Sequence, residues 1–178
     1  SIEKFEATSI VVDGILYTIQ APNDVVALDA KTGRPIWTYA YRNLPEARNC
    51  CGQVNRGLAI LGETLFMGTL DAHIIALNTK DGALLWKTKV AEARDRYVIT
   101  HAPLVVKDKV IVGTAGGDSG APGILAAFHA KTGAEVWRVF DTALVDATNA
   151  QTERLAGELV GLRASVDALA PRIAGVES

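Results

Sequence analysis

Two adjacent cysteines, Cys50 and Cys51, are the only cysteines in the 178 residues, and Arg56 follows closely in Asn49-Cys50-Cys51-Gly52-Gln53-Val54-Asn55-Arg56-Gly57. Packing alone is a poor account of that stretch. Neighbouring Cα atoms across a trans peptide lie about 3.8 Å apart, short of the roughly 4.4–6.8 Å usual for a disulfide, so a bond between these two would be strained and easily reduced. Such a bond is rarely there for stability. Two reduced thiols, one turned into the core, satisfy the spacing equally well. His73, His101 and His129 show no metal-ligand spacing.

The elements that must position this stretch come as a repeat. Ala27-Leu28-Asp29-Ala30-Lys31-Thr32-Gly33 leads to Trp37, Ala76-Leu77-Asn78-Thr79-Lys80-Asp81-Gly82 to Trp86, and Ala127-Phe128-His129-Ala130-Lys131-Thr132-Gly133 to Trp137, with the tryptophans 49 and 51 residues apart. His129 takes the place of Asp or Asn in the third copy, which predicts a surface turn position. Upstream of each copy stands a strand–turn–strand pattern, Val11 to Tyr17, Ile60 to Phe66 and Val105 to Ile111. Within the first copy the β-rich runs Ile10–Val12, Leu16–Ile19, Val25–Leu28 and Ile36–Tyr39 are separated by Asp-Gly, Pro-Asn-Asp and Lys-Thr-Gly, all turn chemistry. Four strands in about 50 residues is the period of a propeller blade rather than of a helical solenoid. Each Trp is expected to seal the interface between neighbouring blades.

Composition narrows the partners. The chain carries 18 Lys and Arg against 20 Asp and Glu, and the balance is even from Ser1 to Thr142, so no basic face for nucleic acid or a membrane surface is expected. No apolar run reaches the ~18 residues of a membrane span and no charged-then-apolar leader opens the chain. Starting at Ser1 without Met, it reads as processed, trimmed or fragmentary.

The Ala-x-Asp-Ala-Lys-Thr-Gly-x-x-x-Trp repeats, with Cys50-Cys51 in register with Asn55-Arg56-Gly57, resemble the N-terminal blades of the pyrroloquinoline-quinone (PQQ)-dependent alcohol and methanol dehydrogenases, eight-bladed periplasmic quinoproteins. The resemblance runs from about Glu6 to Phe140. It implies an all-β fold, a partial β-propeller of about three four-stranded blades over 1–142, with PQQ and Ca²⁺ as cofactors and a periplasmic location. It also implies that Cys50 and Cys51 form a disulfide ring covering one face of the quinone, which an oxidising compartment permits. By the same resemblance Glu6 is a carboxylate facing the cofactor, Arg56 a guanidinium donor to the quinone oxygens, and Thr100 a hydroxyl donor. Ala115, Gly116 and Gly117 form a turn whose backbone approaches the cofactor, and Asp118 is a calcium ligand. An always-charged planar donor suits oxygens that gain negative charge on reduction.

The sequence departs from the family at three of these places. Asp118 stands where Glu is usual, one methylene shorter for a calcium ion at roughly 2.3–2.6 Å. Pro122 replaces an arginine and Ala115 a small hydroxyl residue. The family's stacking Trp, its calcium-ligating Asn and its catalytic Asp base belong to later blades, so no residue here is assigned as the base that alcohol oxidation needs. The chain therefore reads as a fragment of a PQQ-dependent alcohol dehydrogenase that contributes part of the quinone cradle for oxidation of a primary alcohol to an aldehyde, inactive alone. In the complete enzyme the partners would be a small alcohol and an electron acceptor. The competing reading is a non-catalytic propeller-repeat scaffold that binds proteins.

After Thr142 the composition shifts to Ala, Leu, Val, Arg and Glu. Leu155, Leu159, Leu162, Val166, Leu169, Ile173 and Val176 keep alternating four- and three-residue steps, a heptad seam that predicts an α-helical tail over 143–178. Thr148 with Gln151 supplies a capping box, and Pro171 should kink or end the helix. This tail would either drive self-association or pack as an amphipathic helix on the open edge of the blades.

Overall fold

Each copy of the repeat folds into one four-stranded antiparallel sheet whose strands follow chain order. The computed structural model describes residues 5–47, 52–117 and 120–141 together with Arg154. Blade 1 comprises β1 (Ile10–Val12), β2 (Ile15–Gln20), β3 (Asp24–Asp29) and β4 (Pro35–Tyr39). Blade 2 comprises β5 (Ala59–Leu61), β6 (Thr64–Gly68), β7 (His73–Asn78) and β8 (Leu84–Lys89). Blade 3 comprises β9 (Leu104–Val106), β10 (Lys109–Gly113), β11 (Gly123–His129) and β12 (Glu135–Asp141). A 3-10 turn, Ala93–Asp95, lies between blades 2 and 3. The chain divides into two compact units, Ser1–Asp141 and Thr142–Ser178. The helical tail expected over 143–178 lies, Arg154 apart, outside the described residues.

The repeat has a physical basis in its turns. The Asp29 carboxylate accepts from the Lys31 and Thr32 N–H groups (3.0 and 2.7 Å), Asn78 Oδ1 accepts from Lys80 N–H (2.8 Å), and His129 Nδ1 accepts from Lys131 N–H (3.2 Å). A side-chain acceptor two residues ahead of its donor mimics a backbone turn, which is why His can stand where Asp and Asn stand in the other copies. All three sheets also shift register at the same place, between Ala27 and Leu28, Ala76 and Leu77, and Ala127 and Phe128.

Side chains alternate across a strand, so the middle blade buries both faces. Leu65, Met67, Ile75 and Leu77 join Tyr17, Ile19, Val25 and Ala27 in a core between blades 1 and 2. Phe66, Ile74 and Ala76 join Ile99, Val110, Val112 and Phe128 in a core between blades 2 and 3. This explains the unbroken apolar run Ile74-Ile75-Ala76-Leu77, which a half-exposed strand would not carry. Two tryptophans seal these interfaces as expected. Trp37 donates from Nε1 to the Thr79 carbonyl (2.9 Å) and Trp86 to the Ala130 carbonyl (3.0 Å). Each indole covers the glycine of the next blade's turn so closely that a Cβ at Gly82 or Gly133 would fall 2.6 or 2.5 Å from it. Trp137, by contrast, is 37% exposed, and so are Val136, Val139 and Phe140 on the same strand.

Candidate functional site

At the opposite end of the strands from the Lys-Thr-Gly turns, the stretches that lead into the first strand of each blade are tied together by main chain. Thr8 and Gly57 form a parallel bridge, the Thr8 N–H donates to the Arg56 carbonyl (2.9 Å), and the Arg56 N–H donates to the Thr100 carbonyl (2.8 Å). Val98 then pairs with Ala115, exchanging hydrogen bonds of 3.1 and 2.8 Å. One ladder thus runs from beside Glu6 through Arg56 and Thr100 to the turn at Ala115, Gly116 and Gly117. Residues far apart in sequence and drawn from all three blades meet along it.

The side chains on this ladder suit a polar, anionic ligand. The Arg56 guanidinium lies 3.4 Å from the Glu6 carboxylate, with the two side chains 53% and 38% exposed. A pair this open adds little to stability and leaves the planar donor fork accessible. Thr100 is half-buried, and its hydroxyl makes no hydrogen bond among the described residues. Gly116 sits at φ +150°, where a Cβ would come within 3.3 Å of the Tyr97 ring, whereas a Cβ at Gly117 would meet nothing within 4 Å. His101 beside Thr100 accepts from the Gly113 N–H at Nε2 (2.9 Å) and lies 2.7 Å from the Ala102 carbonyl through Nδ1, an arrangement that puts the proton on Nδ1. Cys50, Cys51 and Asp118 lie outside the described residues, so the bridge and the calcium ligand expected there are not described. Among the described residues no three His, Cys, Asp or Glu side chains gather as a metal site.

Beneath the ladder lies a layer of buried polar groups that the sequence reading missed. Asn55 is 4% exposed; its Nδ2 donates to the Gly68 carbonyl (2.7 Å) and lies 2.9 Å from the Asn23 side-chain amide, and its Oδ1 accepts from the Gly57 N–H (3.2 Å). Asp71 is fully buried and accepts from the Tyr41 hydroxyl (2.9 Å), the Leu44 N–H (3.0 Å) and the Thr69 hydroxyl, with His73 Nδ1 3.3 Å away. Burial alone would raise its pKa, but the hydrogen bonds from His73, Thr69, Leu44 and Tyr41 outweigh it and hold the carboxyl well below the usual carboxylate range. Burial pushes the Tyr41 phenol well above its ordinary value, and the Asp71 charge adds to the effect. Asn23 and Asp71 stand in turns between strands, where a polar residue is ordinarily solvated. The signal that could have found them is the long connection from Tyr39 to Ala59, whose backbone groups need partners outside any sheet.

The model of the PQQ family, described as the glucose/ethanol/alcohol dehydrogenase β-propeller domain, matches residues 1–160. The chain belongs to this family. Quinoprotein alcohol dehydrogenase PedH of Pseudomonas putida is 39% identical over 132 residues, covering 74% of this chain and 22% of the relative. Quinoprotein ethanol dehydrogenase of Pseudomonas aeruginosa is 44% identical over 138 residues, with the same 74% and 22% coverage. Among solved structures, a europium-containing methanol dehydrogenase superposes with a TM-score of 0.73 at 40% identity, over 79% of this chain and 25% of the other. The chain thus spans about a fifth to a quarter of the length of these PQQ-family relatives. No helix among the described residues is long and apolar enough to cross a membrane.

Proposed function

We propose that this chain supplies one wall of a PQQ-binding cradle in a periplasmic dehydrogenase that oxidises a primary alcohol to an aldehyde. The observation that carries the reading is the Glu6–Arg56 pair, held on a rim by main-chain bonds to Thr8 and Thr100, in a chain of the PQQ family. An accessible guanidinium next to a carboxylate, an unengaged hydroxyl and an open glycine turn fit a flat tricarboxylic quinone. Arg56 would bind and orient its carbonyl oxygens, Thr100 would add a donor, and Gly116-Gly117 would let the backbone approach closely. When bound, PQQ supplies the two-electron acceptor for the alcohol. Cys50 and Cys51 would cover one face of the ring as a bridged pair.

Asp118 would provide one oxygen ligand to a Ca²⁺ ion completed by other parts of a longer protein. The methanol dehydrogenase relative contains europium, and both are hard cations that take oxygen ligands. Loading with each ion in turn decides between them. The small alcohol and the electron acceptor would be met by the complete enzyme. Glu6, Cys50, Cys51, Arg56 and Thr100 occurring together in one chain favour the enzyme reading, because a scaffold has no need of that set.

Titration of the chain with PQQ, followed by quenching of tryptophan fluorescence, tests the proposal. Saturable binding that Arg56→Ala weakens at least about tenfold, the loss of roughly one charged hydrogen bond, is the expected result. Binding indifferent to Arg56→Ala would sink it. With no base placed on the chain, dye-linked alcohol oxidation should stay at the level of the protein-free control with PQQ and Ca²⁺ present. Turnover that Arg56→Ala abolishes would show that a residue of this chain serves as the base.

A further inference from the structure

We infer that Asn55, backed by Asn23, is a positioning residue that aims the Arg56 guanidinium outward from the rim. The ligand part of this inference rests on the PQQ-binding reading; the positioning part does not. Asn55 Oδ1 accepts from the Gly57 N–H (3.2 Å), so the amide closes a short turn with Arg56 at its apex. The flanking residues Asn55 and Gly57 are buried while the Arg56 side chain is 53% exposed. Turning Arg56 inward would require turning both neighbours out.

Several contacts forbid that turn. Asn55 Nδ2 is committed to the Gly68 carbonyl at the end of β6 and lies 2.9 Å from the side-chain amide of the fully buried Asn23 between β2 and β3, so one amide meets blades 1 and 2. Arg56 itself spends its N–H on Thr100, ahead of blade 3, and its carbonyl on Thr8, ahead of blade 1. Gly57 sits at φ +144°, and a Cβ there would fall 3.0 Å from the Thr8 carbonyl oxygen. Gly68 allows no side chain either, since a Cβ would fall 2.1 Å from Ile99 Cγ2. The glycines bring the backbones together and the Asn55 amide supplies the directional bonds. A buried amide bonded at both its nitrogen and its oxygen is costly to leave half satisfied, so it specifies one geometry rather than many. The Glu6 pair cannot do this work, because both its side chains are solvated.

The test compares Asn55→Ala and the milder Asn23→Ala with Val110→Ala, a core truncation in blade 3 that touches none of these groups. Amide hydrogen exchange of the full chain should accelerate about tenfold or more at Arg56, Gly57 and Thr8 in Asn55→Ala, less in Asn23→Ala, and stay at the parental value at those sites in Val110→Ala. The PQQ dissociation constant should rise about tenfold in Asn55→Ala and stay within about twofold in Val110→Ala. Unchanged exchange at the three amides overturns the inference. So does faster exchange with unchanged PQQ affinity, or an affinity loss that Val110→Ala reproduces at an equal drop in melting temperature. If the parent chain binds no PQQ, the proposed function falls, and the exchange comparison alone decides whether Asn55 positions Arg56. Should Asn55→Ala fail to fold, Asn23→Ala carries both measurements.

Discussion

The two ends of the strands hold neighbouring blades together by different means. At the Gly-ended turns that follow the third strand of each blade the joint is apolar and repeated: an indole lies on a glycine and donates one hydrogen bond to a carbonyl, Trp37 on Gly82 and Trp86 on Gly133. At the other end the joint is polar and unrepeated. Asn55, Asn23, Asp71 and Tyr41 bond across the blades once, around the long connection from Tyr39 to Ala59. A repeated apolar contact tolerates growth by further copies, since each needs only its neighbour. An unrepeated polar cluster fixes one place in the array, and the accessible Arg56 and Glu6 lie at that end.

The largest effect should come from the polar end. Asp71→Ala leaves the Tyr41 and Thr69 hydroxyls and the Leu44 N–H without their buried acceptor, a loss of roughly 3–5 kcal/mol measured by urea unfolding. A loss below about 1 kcal/mol would make the cluster incidental to the fold.

The apolar end can be probed with a matched pair of glycines. Gly82→Ala should cost about 3 kcal/mol, combining left-handed backbone strain with a Cβ driven into Trp37. Gly33 has nearly the same backbone, φ +71° against +72°, but a Cβ there meets nothing within 4 Å, so Gly33→Ala should cost only about 1–2 kcal/mol. Equal costs would mean that the indole contributes nothing to the joint.

Acid should separate the ends as well. The folded pKa of Asp71 lies below its unfolded value of about 3.9, so its stabilisation is present above about pH 4 and is lost as pH falls through the folded value. Chemical denaturation at stepped pH should show that loss in the parent and a smaller one in Asp71→Asn. Parallel curves would assign the acid sensitivity to other carboxylates.

The smallest effect on stability is expected at the rim. Glu6→Gln should change the unfolding free energy by less than about 1 kcal/mol, because both partners of the pair are solvated. A larger loss would make the pair a structural strut and weaken its reading as an accessible ligand-binding group.

These contrasts track what could be read from residues alone. The three blades, the turn chemistry and the docking of Trp37 and Trp86 were legible because they recur: a turn residue and an aromatic held at one spacing through three copies mark one structural unit repeated. Glu6, Arg56, Thr100 and Ala115 were picked out by family resemblance, and the structure joins Arg56, Thr100 and Ala115 along one main-chain ladder with Glu6 paired to Arg56 through its side chain. Asn23, Asp71 and Tyr41 were not picked out, and Asn55 stood only as part of the motif around Arg56, since nothing local marks a polar residue as buried. Trp137, at the same place in blade 3, has no following blade among the described residues to cover and is exposed.

The sequence by itself determined what depends on local periodicity. Apolar alternation sets the strands, Asx-type acceptors set the turns, and a Gly-ended turn four residues ahead of each Trp sets the joint between blades. Only the tertiary structure decided which polar groups are buried, because burial is set by what packs over a residue from another blade. Asn55 and Asp71 become clamps where Gly68, Asn23 and the Leu44 backbone close around them. It is by those non-local contacts, formed once in the array, that Arg56 faces outward at the rim.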